Sequence, residues 1–374
     1  MSSVKLMKKK ILIACNDPGG TMAVMPVIKS LLKQKDIISV IYGGVYASSV
    51  FKKDSIPCRL LPIINIGKQK LPVVENILKR ESPDLVFTST SFGKVVDNAF
   101  LYAAVKKDIP TFALIDQWCN YSARFKVYSE TRALPDYIGI MDRSAQSEML
   151  KEGFPRNRLV VTGQPYFDSL ACDKSAFNNE SRRVFRRSHG ATMHDVLVVF
   201  AAEPFKKGDL NIIGYTDIQI LESLVESLEA VAVSLRKKIK LIIKLHPRDK
   251  RPISIFPLRG SPRVSVEAAY SGNARDFILN ADIVTGMASI FLIESCLLQK
   301  PTLSIQIGLK SPDALITNKI GLTWAIRSSE ELTEALSDIL KGKHKAPSSN
   351  MIKIDGKATE RVVMFLNRML RNVA

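Results

Sequence analysis

The chain has 374 residues, 46% hydrophobic and 24% charged; this composition excludes long disorder, and the length exceeds one ordinary core, so two domains of about 150 to 190 residues are expected. The net charge of +18 favours anionic partners such as nucleotide diphosphates or a membrane surface. It lies in short clusters, among them Arg182-Arg183 with Arg186-Arg187, which argues against a nucleic-acid-binding tail, and no run approaches the ~18 apolar residues of a membrane helix.

The five cysteines, Cys15, Cys58, Cys119, Cys172 and Cys296, show no CxxC or Cys/His spacing. Neither a zinc site nor a disulfide framework is expected, and no other metal or cofactor is called for. Reduced thiols suit a cytoplasmic protein; peripheral contact at the inner membrane face through the Arg182 to Arg187 segment is left open.

In chain order, 10–15 reads as a buried strand, followed by the turn Asn16-Asp17-Pro18-Gly19-Gly20, a helix over 21–35 and a strand over 37–42. This βαβ order implies a parallel sheet. The alternation continues with a helix at 73–80, a strand at 84–88, a helix at 95–106, strands at 111–115 and 137–141, a helix at 145–151 and a strand at 159–162. Residues 171–194 are polar and read as a connection. A second series follows, with strands at 195–201, 240–244, 264–266, 283–285, 302–306 and 324–326, and helices at 217–237, 274–280, 289–299 and 329–340. A last helix covers 357–372.

The fold class is therefore α/β, with two Rossmann-like doubly wound domains, an interdomain cleft and a C-terminal crossover helix. The expected divisions are 1–170, the connection 171–194, 195–350, and 351–374 returning to the first domain. In such sheets ligands sit beyond the carboxyl ends of the strands, where Asp17, Asp116, Gly163, Glu203, His246 and Gly286 fall.

Four segments there carry candidate chemistry. Gly19 and Gly20 let a ligand approach the backbone, and Asp17 is a candidate base. Asp116-Gln117-Trp118-Cys119-Asn120-Tyr121 offers polar groups for sugar hydroxyls and rings for sugar faces. In Lys244-Leu245-His246-Pro247-Arg248 two cations flank a histidine, which suits phosphate binding. Thr285-Gly286-Met287-Ala288-Ser289 leads into a helix whose N–H groups and Ser289 hydroxyl suit phosphate, and Glu294 is a carboxylate in an otherwise apolar helix.

These segments resemble the GT-B superfamily. Lys244-Leu245-His246-Pro247 is similar to the His-Pro motif of bacterial sialyltransferases, capsule transferases and CDP-glycerol glycerophosphotransferases. Residues 281–289 with Glu294 and Lys300-Pro301 resemble their donor-binding segment, and 161–168 the segment closing their first domain. The resemblance implies a metal-independent glycosyltransferase or polyol-phosphate transferase using a nucleotide-activated sugar as co-substrate and a surface-polysaccharide or glycolipid acceptor. His246 and Ser289 would contact donor phosphate with Lys244, Arg248 and Gly286, and Glu294 the ribose. Asp17, Gly19, Gly20, Asp116 and Gln117 would face the acceptor. The alternatives are a nucleotide-sugar epimerase or hydrolase of the same fold, or a non-catalytic relic binding a nucleotide or partner.

Overall fold

The structure, a computed structural model, describes residues 8–62, 65–126, 133–170, 173, 177–205, 208–246, 249–256, 259–343, 352 and 354–372. The chain forms two compact units, Met1–Ser169 with Met351–Ala374, and Leu170–Asn350.

The first unit contains β1 (Lys9–Cys15), β2 (Ile37–Gly43), β3 (Arg59–Leu60), β4 (Leu85–Thr88), β5 (Thr111–Leu114), β6 (Tyr137–Ile140) and β7 (Leu159–Val161). They form one sheet in the order β3-β2-β1-β4-β5-β6-β7, all neighbours parallel. Alternation along β1 divides the core between the faces. Ile11, Ile13 and Cys15 pack with the helices Pro18–Leu31 and Ala358–Asn372, and Leu12 and Ala14 with Leu71–Glu81 and Val96–Lys106.

The C-terminal helix thus completes the first unit's core through Val362, Leu366 and Leu370. Gly163 makes room for it: its φ is +84°, and a Cβ there would stand 2.9 Å from the Cβ of Ala358. Arg361 Nε donates to the Thr162 carbonyl at 2.6 Å.

The second unit contains β8 (Val196–Ala201), β9 (Ile239–Lys244), β10 (Val264–Ala269), β11 (Ile283–Gly286), β12 (Thr302–Ile305) and β13 (Trp324–Ile326). The sheet order is β10-β9-β8-β11-β12-β13, again parallel throughout. Val196, Val198 and Phe200 pack against Leu221, Leu224 and Leu228 of the helix Asp217–Ser234.

Three local differences from the sequence expectations have physical causes. The first helix begins at Pro18 rather than Thr21, because proline presets the φ of a first helical turn and needs no N–H bond there. Residues 171–194 fall within the second unit and include the helix Asn179–Ser188, closed by a capping box between Asn178 and Ser181. In that helix Arg186 is buried and pairs with Asp282 at 2.6 Å, Arg182 reaches the same carboxylate, and Arg183 pairs with Glu180. Of the four arginines whose contact with a membrane was left open, Arg186 is buried, and Arg182 and Arg183 pair with carboxylates. Helices at Val45–Lys53, Tyr121–Phe125, Asp209–Ile213 and Ile316–Lys319 were not expected.

Candidate functional site

In each sheet the strand order turns back at one point, between β1 and β4 and between β8 and β11. The loops leaving such a pair diverge to opposite faces and open a crevice at the carboxyl ends. Both crevices are lined by carboxyl groups.

In the first unit Asp17 follows β1 and is partly exposed. Its N–H donates to Ser91 Oγ at 3.2 Å, and Asn16 Nδ2 donates to its carboxylate at 2.8 Å. Ser91 and Ser89, beyond β4, donate their hydroxyls to Asp97 Oδ2 at 2.6 and 2.8 Å. Asp97 is fully buried in the helix Val96–Lys106. Burial pushes its carboxyl up to about 7, the serine hydroxyls pull the other way, and the nearby Asp17 charge adds to the rise.

Asp116, beyond β5, is the third carboxyl, and its Oδ1 accepts from Arg124 Nη1 at 2.7 Å. Burial still raises it, against the pull of Arg124. Arg124 is buried and also donates to the carbonyl and hydroxyl of Thr90. Gly19 and Gly20 do not take positive φ; they serve close approach. A Cβ on Gly19 would stand 3.1 Å from Asp116 Oδ2, and one on Gly20 3.0 Å from Ser89 Cβ. The helix N-terminus thereby lies against the carboxyl cluster.

Gln117 is exposed beside Asp116, but the neighbouring rings do not face solvent. Trp118 and Tyr121 are buried, with Trp118 Nε1 donating to Asp142 at 2.7 Å and Tyr121 Oη to Glu148 at 2.9 Å. The expectation that these rings cover sugar faces is corrected: they are core residues. Phe92 instead presents an aromatic face, 46% exposed, with the Arg124 guanidinium 4.7 Å from its centroid.

In the second unit the turn after β11 meets the end of β8. Glu203, which sequence reasoning placed at a strand end without a role, accepts the Ala288 N–H at 3.0 Å. Burial raises its carboxyl to about 7, and the Asp217 charge adds to the rise. Gly286 lets β11 lie close to β8, since a Cβ would stand 3.2 Å from the Ala201 carbonyl oxygen. Ser289 is the N-cap of the helix Ile290–Leu297 but makes no side-chain cap bond. Its Oγ is enclosed and has no hydrogen-bond partner among the described residues. An enclosed, unsatisfied hydroxyl is costly and points to a missing partner.

Lys244, at the end of β9, is 7% exposed. Its Nζ lies 3.4 Å from the Tyr270 carbonyl and 5.3 Å from the Phe277 centroid, and burial lowers its pKa. His246 is partly exposed one residue beyond Leu245, and its carbonyl accepts the Asp249 N–H at 2.8 Å. Arg248 lies outside the described residues. Glu294 is buried, and its Oε2 receives Arg275 Nε at 3.2 Å. Arg275 continues to Asp173.

No family model matches the chain, and no curated protein sequence does. Solved structures with the same fold do match. UDP-GlcNAc 2-epimerase from Neisseria meningitidis, bound to UDP-GlcNAc, is 16% identical with a TM-score of 0.70, covering 96% of this chain and 100% of that one. UDP-GlcNAc 2-epimerase from Methanocaldococcus jannaschii is 19% identical with a TM-score of 0.69, covering 96% and 99%. MurG from Acinetobacter baumannii is 11% identical with a TM-score of 0.58, covering 96% and 99%. The chain thus shares the fold of these proteins. Among the described residues no helix is long and apolar enough to cross a membrane.

Proposed function

We propose that the chain is an enzyme acting on a nucleotide-activated sugar, and that it changes the sugar itself, by epimerisation or by hydrolysis of its bond to the nucleotide. The observation that carries this reading is the cluster of Asp17, Asp97 and Asp116 at the β1–β4 crevice, with Asp97 pushed up to about 7. A carbon that bears hydrogen can be inverted by removing its proton and returning it on the other face, the electron pair of the broken C–H bond expelling the nucleotide from the neighbouring carbon in the interval. A buried carboxyl whose proton occupancy changes near neutrality, linked through Ser91 to the partly exposed Asp17, suits that task.

Asp17 is partly exposed while Asp97 and Asp116 are buried, so Asp17 is assigned to contact the sugar and exchange the proton. Asp97 is a positioning residue, since Ser91 bonds both its carboxylate and the Asp17 backbone. Within the second unit, the turn Gly286–Ser289 is assigned to bind phosphate, where the Ser289 hydroxyl, without a partner among the described residues, would donate to it. The shared fold with UDP-GlcNAc 2-epimerases supports a UDP-sugar as the first substrate to test.

A second reading is transfer of the sugar to an acceptor hydroxyl activated by Asp17, the acceptor being a surface polysaccharide or glycolipid. The half-exposed Phe92 ring favours it, because such a face stacks on a saccharide. UDP-GlcNAc incubated alone in deuterated water, followed by proton and phosphorus NMR, separates the two. Deuterium entering the sugar ring, an epimer, or free UDP supports the first reading. Saturable binding of UDP-GlcNAc with neither exchange nor UDP release removes it and leaves transfer.

A further inference from the structure

Away from both crevices, a cavity of about 720 Å³ opens at the amino ends of β5, β6 and β7. It is lined by Pro110 and Thr111, by Asp136 and Tyr137, by Asn157 and Arg158, and by Phe365, Arg368 and Asn372 of the C-terminal helix. The strands are parallel, so the carboxyl cluster lies at the other edge of the sheet, about 13 Å away for strands of this length.

Two arginines in this cavity stand apart from most others described in the chain. Arg59, Arg124, Arg186, Arg251, Arg275 and Arg361 all pair with carboxylates. Arg158 does not. Its Nη1 donates to the carbonyls of Leu134 and Pro135 at 2.9 and 2.7 Å, which fixes the guanidinium and leaves the Nε–Nη2 edge without a protein partner among the described residues. Arg368 is held by a ring instead, with Cζ 4.5 Å from the Phe365 centroid. On the same wall Asp136 Oδ2 accepts the Thr111 N–H and hydroxyl at 2.8 and 2.9 Å, and Asp108 also lines the cavity. A preorganised guanidinium edge matches two oxygens of a phosphate, and the volume suits a small metabolite.

We propose that this cavity binds a phosphorylated small molecule of sugar-phosphate size, with Arg158 and Arg368 on its phosphate. Such a ligand would join the sheet side of the cavity to the C-terminal helix. It would thereby stabilise the docking of that helix.

The test is thermal unfolding of the full chain with inorganic phosphate and with a hexose phosphate, at constant ionic strength. A saturable rise in melting temperature is expected, persisting in Ser289→Ala and at least tenfold weaker in Arg158→Gln and Arg368→Gln. Arg158 supports two backbone carbonyls, so its variant is expected to lose stability on its own account. Arg368 touches only a ring, and its variant should unfold normally without ligand while losing the response. No saturable rise, or a rise unchanged in Arg368→Gln, overturns the proposal. So does loss of the response in Ser289→Ala alone, which would place the phosphate at the β11 turn. Pelleting with phosphatidic acid vesicles, without any response to soluble phosphates, would assign the arginines to a lipid headgroup and also overturn it.

Discussion

Asp168 caps a helix that begins 190 residues later in the chain: its carboxylate accepts the N–H of Ala358 at 3.0 Å and of Thr359 at 2.7 Å. The first turn of any helix leaves N–H groups without partners and favours negative charge. Here the cap comes from the 3-10 turn Pro165–Ser169 that follows β7. One residue thus supplies both the bonds and the address to which the C-terminal helix returns.

Replacing Asp168 with Ala should lower stability by about 1 to 2 kcal/mol, the usual cost of losing an N-cap. Urea unfolding read by circular dichroism should show an earlier midpoint. Gly163→Ala should cost at least as much, because it combines a φ of +84° with a Cβ 2.9 Å from Ala358. An unchanged midpoint in both variants would mean that the helix is anchored by its apolar face alone.

Asp97 gives a signed pH dependence. Its folded value, about 7, lies above the ordinary 3.8. The folded state therefore holds a proton that the unfolded chain releases first. The stability tied to that proton is present below about pH 4 and is lost as pH rises to about 7. At about 1.4 kcal/mol per pH unit the loss is at most about 4 kcal/mol. Asp97→Asn keeps the shape without the charge, so the difference in unfolding free energy between variant and parent should grow in the variant's favour from pH 5 to pH 8. A constant difference would mean that Asp97 is already ionised at pH 5.

Most of the fold was legible because both sheets are buried on both faces, and buried parallel strands read as short apolar runs ending in turn residues. Ile11 to Cys15 and Leu241 to Ile243 carry that signal openly. The short helix Tyr121–Phe125 did not, since its rings suited a binding surface as well as a core. The candidate site was legible in part. Asp17, Asp116 and Ser289 stand at strand ends, where composition alone draws attention. Asp97 stands inside a helix, and only the sheet order brings it beneath Asp17. Its signal was a carboxylate among Val95, Val96, Ala99 and Phe100, the same signal that singled out Glu294. Glu294 has Arg275 as a partner, whereas the hydrogen bonds to Asp97 come from serine hydroxyls and a backbone N–H. Pairwise contacts of that kind are not written in sequence spacing.

Asp17→Asn should remove turnover on a nucleotide sugar by about 10² to 10⁴-fold, the range for losing a positioned acid or base. The amide keeps the size of the side chain and can still meet Asn16, so folding should be unchanged. Nucleotide affinity, measured by calorimetry with UDP, should stay within a factor of about 2, since the phosphate is assigned elsewhere. Equal loss of affinity and turnover would show that Asp17 binds substrate without moving its proton.

Ser289→Ala separates a ligand-binding hydroxyl from a structural one. The Ser289 Oγ is enclosed and has no partner among the described residues, so removing it relieves a desolvated polar group and should leave stability unchanged or raise it by about 1 kcal/mol. With nucleotide bound the sign reverses. A hydroxyl donating to phosphate is a charge-assisted bond worth about 1.5 to 3 kcal/mol, so UDP should bind at least tenfold more weakly to the variant. Urea unfolding without ligand and calorimetry with UDP read the two effects separately. A less stable variant with unchanged UDP affinity would make Ser289 an ordinary helix cap, and the phosphate would then have to be placed away from the β11 turn.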